Sequence, residues 1–192
     1  MAPTKIAGRM VGLGHACFII AEAGVNHNGD PDVALCMVDS AADAGADAIK
    51  FQTFCADRLA TRLASKADYQ QRTTDPAESQ YDMLCRLELP ESAYGRLLER
   101  CRARRILFLS TPFDEESADF LERLEMFAFK IPSGEITNLP FLAHIAAKRK
   151  PMIISTGMAD LGEVESAVRV IRSTGNDQIV LLHCVSNYPA DA

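Results

Sequence analysis

Six short apolar runs punctuate this 192-residue chain, and each ends in a polar cluster able to do chemistry. Phe18-Ile19-Ile20 leads into Glu22 and then Asn26-His27-Asn28-Gly29. Ala48-Ile49 ends at Lys50, with Gln52 two residues on. Ile106-Leu107-Phe108-Leu109 ends in Ser110-Thr111, and Phe127-Ala128-Phe129 ends at Lys130, followed by Ser133 and Glu135. Met152-Ile153-Ile154 ends in Ser155-Thr156-Gly157, and Ile179-Val180-Leu181-Leu182 ends at His183. Unbroken apolar runs of this length mark strands buried on both faces. Such a strand has no structural need of a polar residue at its carboxyl end. Six in succession imply one site assembled from strand ends around a common centre.

Helical patterns separate the runs. Asp30-Pro31 supplies an N-cap acceptor and a proline at the first helical position, Val33, Met37, Val38 and Ala41 form a stripe, and Gly45 ends it. Asp160 and Glu163 have capping-box spacing ahead of Leu161, Val164, Val168 and Ile171. Further helices are expected over Pro90 to Arg102, Glu115 to Leu124 and Leu139 to Lys148, with Thr137-Asn138 reading as the N-cap of the last. Strand alternating with helix gives a parallel sheet with helices outside it, at intervals of roughly 20–30 residues. The interval from Lys50 to Ile106 is about double. It holds a polar stretch from Cys55 to Glu78 and a short helix near Gln80–Leu87, and a connection that long suits a lid or substrate loop. The glycine-rich segment before Phe18 is expected to form a hairpin closing the amino-terminal face.

The first strand is followed by Gly24-Val25-Asn26-His27-Asn28-Gly29, which is not the G-x-G-x-x-G of a dinucleotide fold. An open sheet also concentrates its ligand at one switch point, whereas every strand end here is decorated. That pattern predicts a TIM (β/α)8 barrel, whose site draws on all the strand ends. Six strands are counted before Ala192, and a barrel takes about 250 residues. Residues 1–192 therefore read as a single, incomplete barrel domain truncated after about six strands.

Composition narrows the partners. The chain is 48% hydrophobic and 24% charged, with a net charge of −6. Its one basic run, Arg100-Cys101-Arg102-Ala103-Arg104-Arg105, falls where a helix ends and reads as a solvated helix terminus rather than a nucleic-acid patch. Six cysteines without CxxC spacing and no signal peptide fit reduced thiols in a cytoplasmic protein. No apolar run reaches the ~18 residues of a membrane span.

Lys50 and Lys130 end apolar strands, and lysine is rarely buried without a partner. Two cations with the hydroxyls of Thr111, Ser133, Ser155 and Ser186, beside the open amides of Gly134 and Gly157, suit a compact polyanion. Glu22 and Glu135 would overhang the same cavity, pairing with a lysine, orienting sugar hydroxyls or moving a proton. His27 and His183 read equally as loop or core histidines and as metal ligands or acid–bases, and His144 as a surface residue. No HExxH or closely spaced ligand pair is present.

The ordered segments Phe18 to Asp30, Gly45 to Thr53, Leu109 to Asp114, Lys130 to Glu135, Ile154 to Met158 and Leu182 to Pro189 resemble the sialic acid synthases. The likeness runs from about Gly14 to the last residue. It implies condensation of phosphoenolpyruvate with N-acetylmannosamine or a related 2-acetamido sugar, giving a nonulosonic acid and phosphate. It also implies a divalent metal (Mn2+ or Mg2+), a TIM barrel followed by an antifreeze-like domain, and a homodimer in which that domain reaches the partner's site. Phosphoenolpyruvate would meet Lys50, Thr111, Lys130, Ser133 and Ser155, with Ser186 as a further contact. The sugar would meet Gln52, Phe113, Glu135 and Tyr188. Glu22 lies near the reacting centre, and Glu22, Lys50, Lys130 and Glu135 form the catalytic set.

The chain departs from the family at several points. The two metal-binding histidines and the antifreeze-like domain would lie beyond Ala192, so His27 and His183 are expected to support the site rather than ligate. Thr73 stands where the family often has a sugar-contacting asparagine. Rival readings are a Schiff-base lysine aldolase on a similar barrel, a legionaminic acid synthase using a diacetamido hexose, and a phosphoenolpyruvate-binding fragment without activity. The acidic balance favours an unphosphorylated sugar.

Overall fold

The expected alternation of strand and helix is present throughout the computed structural model, which describes residues 3–62, 64, 66 and 78–186. An antiparallel hairpin comes first, β1 (Thr4–Ile6) with β2 (Arg9–Val11), and Ile6 plugs it into the core. Six strands follow: β3 (Ile20–Gly24), β4 (Ala48–Thr53), β5 (Leu107–Pro112), β6 (Phe129–Ile131), β7 (Met152–Ser155) and β8 (Ile179–Leu182). The connecting helices are α1 (Pro31–Asp43), α2 (Ala56–Leu59), α3 (Gln80–Leu87), α4 (Glu91–Arg104), α5 (Glu115–Arg123), α6 (Leu139–Ala147) and α7 (Leu161–Ser173).

All ladders among β3 to β8 are parallel. They form two three-stranded sheets, β3-β4-β5 and β6-β7-β8, and β5 lies beside β6 across a seam between them. The pleat sorts the side chains. Lys50 sits opposite Glu22 and Leu109, and Gln52 opposite Thr111, so these share the inner face. Ile49, Phe51 and Thr53 alternate onto the helix side, where Phe51 stacks on Phe108 at 5.6 Å and Tyr94 of α4 stands edge-on to Phe108. Thr53 Oγ1 bonds both Ser110 Oγ at 2.6 Å and the Tyr94 hydroxyl at 2.9 Å, so these buried hydroxyls satisfy one another. Phe51, Leu97, Leu121, Phe129, Ile131, Leu142 and Ile145 are essentially inaccessible and belong to one continuous core. Burying each such side chain contributes about 1.5–3 kcal/mol.

Helix ends follow the expected chemistry. Asp30 caps α1, accepting from the amides of Asp32 and Val33, with Pro31 at the start. Asp160 and Glu163 complete a reciprocal capping box on α7, and Asn138 caps α6. The basic run does end α4, but it is not merely solvated. Arg96, Arg100 and Arg104 reach Asp32, Asp39 and Asp43 in a ladder that ties α4 to α1. Exposed pairs of this kind each contribute little.

Three departures from expectation have local causes. Ile19 and Phe127 are half exposed, so the strands begin later than their apolar runs. At Ile19 the amide is taken by Asp47 Oδ2 at 2.7 Å, and Asp47 also pairs with Arg9 of the hairpin. The long interval after β4 contains α2, which packs with α3 in a second apolar cluster of Phe54, Ala56, Met83, Leu84 and Leu87. Gly29 carries a φ of +78°, and a Cβ there would lie 2.3 Å from the Arg86 carbonyl oxygen, so the β3–α1 turn seats directly on the end of α3.

Candidate active site

Half of the site comes from β3, β4 and β5. Lys50 is only 7% exposed, and its ammonium donates to Glu22 Oε1 at 2.8 Å and Thr111 Oγ1 at 3.3 Å. The second Glu22 oxygen also lies 2.8 Å away. The carboxylate end of this pair faces solvent, with the Glu22 side chain 46% exposed. Gly24 follows a register shift in β3 and has a φ of +55°. A Cβ there would come within 3.2 Å of Glu22 Oε1 and 3.8 Å of Gln52 Nε2, which places Gln52 beside the Glu22 carboxylate.

The other half comes from β6, β7 and the chain after β8. Lys130, also 7% exposed, donates to Ser155 Oγ at 2.6 Å and to the Ile131 carbonyl at 2.8 Å. Among the described residues it has no carboxylate partner. Burial pulls its pKa down to about 8, with the charge of Lys50 acting in the same direction and Glu22 and Cys184 opposing. Ser133 lies on the 3-10 turn Ser133–Glu135, accepts from the Gly157 amide at 3.1 Å and meets Cys184 Sγ at 3.5 Å. Burial pushes the Cys184 thiol up, but hydrogen bonds from Ser133, Ser155 and the Gly157 and Thr156 amides outweigh it and its pKa is lowered. A Cβ on Gly157 would approach Ser186 Oγ to 2.6 Å and Ser133 Oγ to 2.9 Å, so a glycine is needed where these loops meet.

The predicted donor residues are thus brought together, with Ser186 at their margin. Two ammoniums face one carboxylate, leaving an uncompensated cation surrounded by hydroxyls, which is a surface for an anion of more than one charge. The predicted sugar residues are less gathered. Phe113 packs edge-on against Phe54 at 6.1 Å, and Glu135 Oε2 accepts from Asn138 Nδ2 at 2.8 Å. Tyr188 and Thr73 lie outside the described residues. His27 is buried, its Nδ1 accepting from the Gly29 amide at 3.0 Å while Nε2 has no partner among the described residues. His183 is exposed rather than a core residue. His144 pairs with Asp119 at 2.7 Å on the outer layer.

Cys184 went unrecognised in the sequence, where it reads as a small hydrophobe. Its signal is position, two residues past the last apolar run. Among the described residues no three histidine, cysteine or carboxylate side chains converge as a metal site requires, and no helix is long and apolar enough to cross a membrane. A cavity of about 360 Å3 also opens on the helix side, lined by Thr53, Arg58, Glu88, Tyr94 and Arg123. It lies across β4 and β5 from the lysines and takes no part in the site.

Strand ends of a parallel α/β sheet that converge cations and hydroxyls define a candidate anion-binding site. The chain belongs to the NeuB family, which it matches over residues 37–192. It is 51% identical over 183 residues to the N,N'-diacetyllegionaminic acid synthase of Legionella pneumophila, a match covering 93% of this chain and 51% of that protein. The crystal structure of the Bacillus subtilis spore coat polysaccharide biosynthesis protein SpsE has a TM-score of 0.82 at 44% identity, covering 99% of this chain and 50% of that one. The N-acetylneuraminic acid synthetase of Leptospira borgpetersenii, in complex with citrate, also has a TM-score of 0.82, at 33% identity, covering 99% of this chain and 62% of that one. The chain spans about half the length of the curated relatives it matches.

Proposed function

We propose that this chain supplies the donor half of a synthase that condenses phosphoenolpyruvate with a 2-acetamido hexose. The observation that carries the reading is the Lys50–Lys130 pair, two buried ammoniums balanced by one carboxylate. Phosphoenolpyruvate carries its carboxylate and its phosphate on the same carbon, C2, and two lysines from strands on either side of β5 can each take one. Thr111, Ser133, Ser155 and Ser186 supply neutral donors around them. Gln52, Phe113, Glu135 and Tyr188 are assigned to the sugar.

In the reaction C3 of the donor bonds to the sugar aldehyde carbon, whose oxygen takes up a proton to become a hydroxyl, leaving a cationic centre at C2. Water adds its oxygen there, and phosphate departs with cleavage of its C–O bond to C2. The lysines orient the anionic donor and offset its charge throughout. Glu22, in contact with Lys50, is better situated than Glu135 to take the proton of the incoming water. The divalent metal implied by the resemblance has no ligand cluster among the described residues, and these side chains are given no part in holding it. The greater identity to the legionaminic acid synthase favours a diacetamido hexose over N-acetylmannosamine as acceptor. A barrel completed by further strands, a homodimer and a cytoplasmic location belong to the same reading.

Phosphate release by the full-length protein, assayed with phosphoenolpyruvate and each sugar in turn, tests it. Activity is expected with a 2-acetamido or diacetamido hexose and its loss in Lys130→Ala. Full activity in Lys130→Ala would overturn the donor assignment. Borohydride trapping of pyruvate on a lysine would favour the aldolase reading instead.

A further inference from the structure

We infer that Cys184 is a positioning residue for the donor site, acting through Ser133; the inference rests on the proposed function. A serine hydroxyl has two lone pairs and one proton. At Ser133 one lone pair is occupied by the Gly157 amide at 3.1 Å, and Cys184 Sγ stands 3.5 Å away, where either atom can donate. With the site empty, the hydroxyl can point its proton at the sulfur. When an anion takes that proton, the thiol turns its own proton onto the freed lone pair. Both acceptor positions of Ser133 are then filled, and the hydroxyl is left with no role but to donate to the anion.

Sulfur suits this exchange. It is a weak acceptor and a weak donor, so it holds the hydroxyl in place without competing strongly against a phosphate or carboxylate oxygen. The surroundings fix its position. Gly157 brings the β7–α7 loop against both Ser133 and the Cys184 carbonyl, which would lie 3.2 Å from a Cβ at Gly157. Ser155, on the neighbouring strand end, is held by Lys130 at 2.6 Å. The thiol therefore acts on the one hydroxyl it meets, that of Ser133.

The test uses the full-length enzyme and steady-state kinetics. Cys184→Ala is expected to raise the KM for phosphoenolpyruvate about fivefold while kcat and the sugar KM stay within about twofold. In a double-mutant cycle Cys184→Ala adds nothing once Ser133→Ala is present, because the thiol acts through that hydroxyl. Should the alanine chain not fold, Cys184→Val, which keeps the bulk without the hydrogen bond, replaces it. An unchanged donor KM in Cys184→Ala overturns the inference, as does full additivity with Ser133→Ala. If Lys130→Ala and Ser133→Ala also leave the donor KM unchanged, the donor site itself is misassigned and both readings fall. If those two raise it and Cys184→Ala does not, only the role of Cys184 is lost.

Discussion

Lys50 holds the Glu22 carboxylate at 2.8 Å, whereas Lys130, close enough to feel the Lys50 charge, bonds only a serine hydroxyl and a backbone carbonyl among the described residues. The two cations are therefore not equivalent. Lys130 is the one whose proton is held loosely, and it is the one that gains most when an anion arrives.

Donor binding should follow that proton. Burial, reinforced by Lys50, brings the Lys130 pKa to about 8 in the empty site. Affinity for phosphoenolpyruvate, measured by titration calorimetry, is expected to fall as pH rises from 7 through about 8. A flat profile to pH 10 would show that Lys130 does not meet the donor.

The same residue should cost stability. Its folded pKa lies below the 10.5 of an unperturbed lysine, so between pH 8 and 10.5 the unfolded chain binds more protons and stability rises with pH. Below about 8 the penalty is fully present. Lys130→Met is expected to raise stability in urea unfolding by about 1–2 kcal/mol at pH 7, with the gain shrinking toward pH 10, while donor binding is lost. A destabilised Lys130→Met at pH 7 would contradict this.

Glu22→Gln separates binding from proton transfer. The variant keeps the shape beside Lys50 and removes a negative charge from an anion site. Donor KM should stay the same or fall, while kcat drops on the order of 100-fold if this carboxylate takes the water proton. A raised donor KM with unchanged kcat would assign Glu22 a binding role only.

Gly29→Ala tests the contact between the β3–α1 turn and α3. The added methyl would lie 2.3 Å from the Arg86 carbonyl, on a backbone with a φ of +78°. The expected loss is about 2–4 kcal/mol in thermal or chemical unfolding, with Gly45→Ala, where a Cβ meets nothing within 4 Å, losing only the smaller cost of positive φ.

The strand ends were legible because apolar runs and polar punctuation are local signals, and the pleat then decides which polar residues meet. Lys50 and Thr111 share the inner face by register, so their meeting follows from spacing. Ser110, adjacent in sequence to Thr111, is turned to Thr53, and only the alternation of Phe51 and Thr53 with Lys50 and Gln52 reveals it. Cys184 was opaque for a different reason, and Gly157, expected to offer an open amide, instead donates it to Ser133. Their roles come from approach between loops at β6, β7 and β8, which no single stretch of sequence encodes. The arginine ladder was half legible: the helix end was plain, but its partners on α1 are about 61 residues away.

The seam between β5 and β6 has a mechanical consequence. Lys50 belongs to one hydrogen-bonded sheet and Lys130 to the other, so an anion gripped by both acts as a rivet across two plates that share no ladder of their own. Occupancy of the site would then stiffen the whole arc of strands, and the backbone amides flanking that joint would be the first to slow in hydrogen exchange.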